Sequence, residues 1–177
     1  MARRRLKPKQ ETTYYHVMTR TAQQKFWLEE SEIKDLFIDF IDFYADVYCV
    51  EILVHNCLSN HYHLVLKMSR PAFDLEDIAK RYQRAQTRLA SPRPFQEPMA
   101  KHFYNRYTDL SMFMWEINSR MARTYNKKMH TKGHLWGGSV ERDPGQEFDR
   151  RARQTPAGSH HLCGAKRGQG GDRRRPE

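Results

Sequence analysis

The run Ser59-Asn60-His61-Tyr62-His63-Leu64-Val65-Leu66-Lys67 decides the fold. Successive side chains of a strand point to opposite faces, so Tyr62, Leu64 and Leu66 share one face while His61, His63 and Val65 share the other. The first set is apolar and suits a core, which predicts a strand over 61–68. On the second face two imidazoles stand side by side. Such a pair can share a divalent cation, and a cation held there can polarise a phosphate or carbonyl oxygen. Two other readings stay open: a pair of packing histidines, and a zinc site made by His55, Cys57, His61 and His63.

Working outward, residues 48–54 read as a preceding strand, and the polar link 55–60 joins the two as a hairpin. Residues 13–20 alternate Tyr15, Val17 and Thr19 with His16, Met18 and Arg20, which predicts another strand with a more polar second face. Between them, Ile33, Leu36, Phe37, Phe40, Ile41 and Tyr44 follow the helical i, i+3, i+4 rule over 29–44, with Ser31 as an N-cap candidate. Residues 71–90 predict a helix ringed by Lys80, Arg81, Arg84 and Arg88, which the three prolines of 91–98 end. A further helix covers 109–129, its apolar stripe running Leu110, Phe113, Met114, Ile117, Met121 and Tyr125. Residues 135–140 suggest a short fourth strand.

The order strand, helix, strand, strand, helix, strand is that of a ferredoxin-like α+β fold, an antiparallel sheet with helices on one face. Here it carries an extra helical insertion near 71–105. In that topology the first and third strands are central neighbours, so His16 and Arg20 are expected beside His61 and His63 on the open face.

The chain has 177 residues and a formal net charge of +10. Its length suits one domain, and its charge points to a polyanionic partner, most simply nucleic acid. Three cysteines, Cys49, Cys57 and Cys163, make no disulfide framework. No stretch has the apolar length of a membrane span, and the basic N-terminus lacks a signal peptide's apolar core, so a cytoplasmic location is expected. Three regions follow. Residues 1–11 are a basic arm whose Arg3, Arg4, Arg5, Lys7 and Lys9 can meet phosphates. Residues 12–140 are the folded domain. Residues 141–177 lose aliphatic residues and periodicity and read as a disordered Gly/Arg/Pro-rich tail. On the last long helix, Arg123, Lys127 and Lys128 add further candidate DNA contacts.

Three blocks carry a resemblance: Tyr14-Tyr15-His16-Val17, Ser59-Asn60-His61-Tyr62-His63-Leu64-Val65-Leu66, and Tyr125-Asn126-Lys127-Lys128 with Gly133-His134-Leu135-Trp136. Together they resemble the REP-associated tyrosine transposases, single-tyrosine HUH enzymes related to the transposases of small single-stranded insertion sequences. The resemblance covers roughly residues 12–138. It implies that His61 and His63 hold Mg²⁺ or Mn²⁺ against the scissile phosphate of single-stranded or hairpin DNA. It further implies attack by a tyrosine hydroxyl to leave a 5′-phosphotyrosine, whose retained bond energy allows rejoining.

In that family the nucleophile lies on a helix after the fourth strand, in a run resembling Tyr-Ile-X-X-Asn-Pro-Val. No such run occurs here, and Tyr125 is the last tyrosine. The departure begins near Ser139, as a reading-frame shift, a truncated copy or a genuine variant would produce. Tyr125 shares an apolar stripe and reads as core rather than as a substitute nucleophile. The expectation is a transposase-like protein that keeps the metal histidines and DNA face but has lost the nucleophile. A non-enzymatic nucleic-acid-binding module is the alternative. Nothing in the sequence decides between monomer and homodimer.

Overall fold

The computed structural model describes residues 12–137 and the backbone of residues 141–144. The basic arm 1–11 and the tail beyond residue 144 lie outside the described residues. Four strands form one sheet: β1 (Thr12–Arg20), β2 (Val50–Cys57), β3 (His61–Ser69) and β4 (Glu141–Pro144). Their order is β2-β3-β1-β4, with antiparallel neighbours throughout. This is the ferredoxin-like arrangement, with β1 and β3 at the centre.

Four helices complete the fold: α1 (Ser31–Val47), α2 (Leu75–Gln86), α3 (Ala100–Tyr107) and α4 (Leu110–Lys128). Helices α1 and α4 cover one sheet face. Val17, Tyr62, Leu64 and Leu66 project from the strands into a core shared with Phe37, Phe113, Ile117 and Met121. The alternation in β3 is complete: every second residue from Tyr62 to Met68 is buried. Tyr62 carries a polar end into this core, and its hydroxyl donates to Asn118 Oδ1 at 2.8 Å. Burying that hydroxyl unpaired would be costly, so the bond fixes α4 against β3.

The insertion between β3 and α4 holds α2 and α3. Its basic residues are largely structural. Arg81 Nη1 donates to the carbonyls of Asp46 and Tyr48 at 3.1 Å, closing the C-terminal end of α1. Arg88 pairs with Asp39 at 2.9 Å, and its guanidinium lies 3.9 Å from the Phe43 ring centre. Arg106 and Arg120 both pair with Glu116, a carboxylate buried in α4.

Several boundaries differ from the sequence expectation. Ser31 is the first residue of α1 rather than its cap; Glu30 takes the N-cap position without a side-chain bond. The hairpin link is only residues 58–60, because β2 continues to Cys57. A β-bulge at Leu53 accounts for the difference. Ile52 pairs with Leu66 on the helix side, whereas Val54 pairs with Val65 on the open side. The bulge inserts one residue and flips the alternation, so period-two reading fails across it. The fourth strand is residues 141–144 rather than 135–140, so the sheet reaches past the expected domain end. Leu135 is instead buried in the core, and Trp136 forms an isolated bridge to Thr21. Gly137 follows with its N–H on Arg20 O at 2.8 Å, and a Cβ there would meet Thr21 O at 3.1 Å. Only glycine permits that approach without displacement.

Candidate metal site and nucleic-acid face

No described helix covers the second face of the sheet. His16, Met18 and Arg20 of β1 project there, beside His61, His63 and Val65 of β3. The register sets Arg20 opposite His61, Met18 opposite His63 and His16 opposite Val65. The structure therefore brings together four residues singled out from the sequence: His16, Arg20, His61 and His63.

The His61 and His63 ring centres are 5.1 Å apart at an interplanar angle of 79°. That spacing suits two imidazoles whose nitrogens each lie about 2.1 Å from one cation. The Asn60 amide holds His61. Its Oδ1 is 2.7 Å from His61 Nδ1, and its Nδ2 donates to Gln24 O at 3.5 Å. An amide oxygen only accepts, so the His61 proton sits on Nδ1 and Nε2 keeps its lone pair. The loop after β1 anchors Asn60 in turn: Thr21 N–H donates to Asn60 O at 2.9 Å, and Leu28 N–H to Ser59 O at 2.8 Å. Asn60 is thus a functional candidate that residue-by-residue reading passed over. Its signal was adjacency to the histidine pair.

His63 Nδ1 meets His16 Nε2 at 3.0 Å. Partial burial lowers the His63 pKa, and the neighbouring His16, His61 and Arg20 lower it further. The shift favours the neutral imidazole, the form that ligates metals. These observations fit a divalent cation on His61 and His63. Among the described residues no group of three or more His, Cys, Asp or Glu side chains encloses a metal position, so the pair is a partial, open donor set.

The zinc alternative does not hold. Cys57 pairs in register with Tyr62 and His55 with Leu64, which puts both on the helix side of the sheet, away from His61 and His63.

The other expected contacts are dispersed. Arg123, Lys127 and Lys128 lie on α4, in the layer behind the sheet, and Lys128 is paired with Glu32. Arg3, Arg4, Arg5, Lys7 and Lys9 fall outside the described residues. Tyr125 is only 8% exposed and packs parallel to Trp27, with ring centres 5.4 Å apart. Burial raises its pKa, and Glu30 adds to the effect. As a member of the α4 core face, Tyr125 stands on the opposite side of the sheet from the histidines.

Among solved structures, the chain is similar to a protein assigned as a transposase from Deinococcus radiodurans R1, with 15% identity, a TM-score of 0.46, and coverage of 84% of this chain and 91% of that one. It is also similar to a REP-associated tyrosine transposase bound to a REP hairpin, with 14% identity, a TM-score of 0.48, and coverage of 86% and 66%. No curated protein matches. The family described as "Transposase IS200 like" matches residues 9–107, a span running from β1 through the histidine hairpin to the end of α3. That span is more than half of the chain and contains the whole histidine cluster, and on this match the chain belongs to the IS200-like transposase family.

Proposed function

We propose that the chain binds single-stranded or hairpin DNA across the open face of its sheet and holds Mg²⁺ or Mn²⁺ at His61 and His63 against a backbone phosphate. The observation that carries this reading is the pair of imidazoles 5.1 Å apart on a sheet face that no described helix covers. Family membership supports a DNA substrate, and the net charge of +10 supports a polyanion. When bound, the cation supplies Lewis-acid polarisation of the phosphate. Imidazoles ligate metals in their neutral form, so a phosphate oxygen would be the group that neutralises an ion held there. Arg20, exposed and in register with His61, adds a second positive group for the same phosphate.

The reading extends to what the chain does not complete. Rejoining through a 5′-phosphotyrosine needs a tyrosine hydroxyl near the cation. Tyr125 is packed against Trp27 behind the sheet. Tyr14 shares the open face but stands opposite Lys67, toward the end of the sheet away from His61. Residues 126–177 contain no tyrosine. The chain is thus read as a member of the family that keeps metal and DNA binding without strand transfer.

The test incubates the full chain with Mn²⁺ and a labelled hairpin, then runs native and denaturing gels. We expect a native complex and no covalent band after denaturation. A covalent band that disappears in Tyr125→Phe or Tyr14→Phe overturns the reading. A native complex indifferent to Mn²⁺ favours a nucleic-acid-binding module without a metal role.

A further inference from the structure

We propose that His16 is a positioning residue for the cation site, accepting the hydrogen bond that keeps the His63 proton on Nδ1 and leaves His63 Nε2 as the donor to the metal. This rests on the reading of His61 and His63 as the cation's ligands.

The geometry of the contact carries the inference. The two rings are 12° from parallel, their centres are 5.2 Å apart, and their nearest nitrogens are 3.0 Å apart. The centre separation is about the N···N distance plus one ring radius at each end. The rings therefore meet edge to edge in nearly one plane, and the contact is an in-line N–H···N hydrogen bond. A lone pair and an N–H directed at each other in this way do not converge on a common ion, so His16 is not a third ligand. The His61 and His63 rings, by contrast, are tilted 79° to each other.

A neutral imidazole carries one N–H. The shared proton sits either on His63 Nδ1 or on His16 Nε2. In the second arrangement His63 Nδ1 is the acceptor, its own proton is on Nε2, and no lone pair remains for a cation. Only the first arrangement leaves His63 competent. His61 already has the matching tautomer, set by Asn60 Oδ1. Asn60 and His16 thus do the same work for the two ligands, one from the hairpin link and one across the β1–β3 ladder. His16 is held for this by register: it is the diagonal neighbour of His63, opposite Val65, on a central strand.

The experiment uses the full chain with His16→Phe, which keeps a planar ring but removes the acceptor, and His16→Gln, which restores an amide oxygen. Two quantities are read: the His63 tautomer from imidazole ¹⁵N shifts in metal-free protein, and Mn²⁺ affinity by calorimetry. We expect the proton on Nδ1 in wild type and His16→Gln, and a mixture in His16→Phe. Loss of such an acceptor typically weakens metal affinity about 10–100-fold, so His16→Phe is expected in that range, with recovery in His16→Gln. Backbone amide shifts of β1 and β3 report that the sheet is intact. An Nε2–H tautomer in wild-type His63, or an unchanged tautomer and affinity in His16→Phe, overturns the role of His16. If wild type binds Mn²⁺ and His61→Ala does not, such a result removes His16 alone. No Mn²⁺ uptake by wild type removes the cation reading and this role together.

Discussion

Tyr125 and Asn60 are residues whose roles their types do not announce. Tyr125 is the last tyrosine of the chain, and its ring is packed on Trp27 within the core face of α4. We expect Tyr125→Phe to leave stability and DNA binding nearly unchanged. Truncation to alanine is expected to cost about 3–5 kcal/mol, the usual range for a large buried aromatic. Urea unfolding of both variants checks this, and an equal loss in the two would point to the hydroxyl rather than the ring. Asn60 is exposed to the opposite error, since an asparagine in a hairpin link reads as turn chemistry. Its contact with His61 predicts that Asn60→Ala weakens Mn²⁺ binding about 10–100-fold, as for other partners of metal-ligating histidines. Calorimetry on the folded variant measures it.

Among the elements, β3 was the most legible, because strict alternation of buried and facing residues is a local signal. Leu64 is fully buried in that alternation, so Leu64→Ala is expected to cost about 2–5 kcal/mol in chemical unfolding. Helix α4 was legible from its stripe, and Asp109 caps it, accepting from Ser111 N–H at 2.7 Å. Removing that cap in Asp109→Ala is expected to cost about 1 kcal/mol, read as a lowered urea midpoint. Other elements were hidden for identifiable reasons. The bulge at Leu53 reverses the faces of β2 midway, so the end of that strand looked like a link. Helix α3 has eight residues, too few turns for a periodic stripe to emerge beside the prolines before it. Leu135 and Trp136 looked like strand residues because they are apolar, but tertiary packing places them against the core instead. The site followed the same division. His16, Arg20, His61 and His63 were legible as one face once the strand order was inferred. The tautomer-setting contacts of His16 and Asn60 depend on cross-strand register and loop geometry that no local pattern encodes.

At the scale of the whole molecule, the sheet divides the chain into a helical side that makes the core and an open side that carries the imidazoles. Among the described residues no helix is long and apolar enough to cross a membrane. The net charge of +10 predicts DNA binding dominated by phosphate contacts, so affinity should fall steeply from low to high salt. Filter binding that stays flat across that range would contradict a polyanion-driven interface. The proposed function puts metal and DNA on the open face, and Tyr125 lies on the other. The most direct measurement of that claim is Mn²⁺ titration calorimetry on the full chain, alongside His61→Ala, His63→Ala and Tyr125→Phe. The account predicts binding in wild type and Tyr125→Phe and its loss in both histidine variants; equal binding in all four proteins would contradict it.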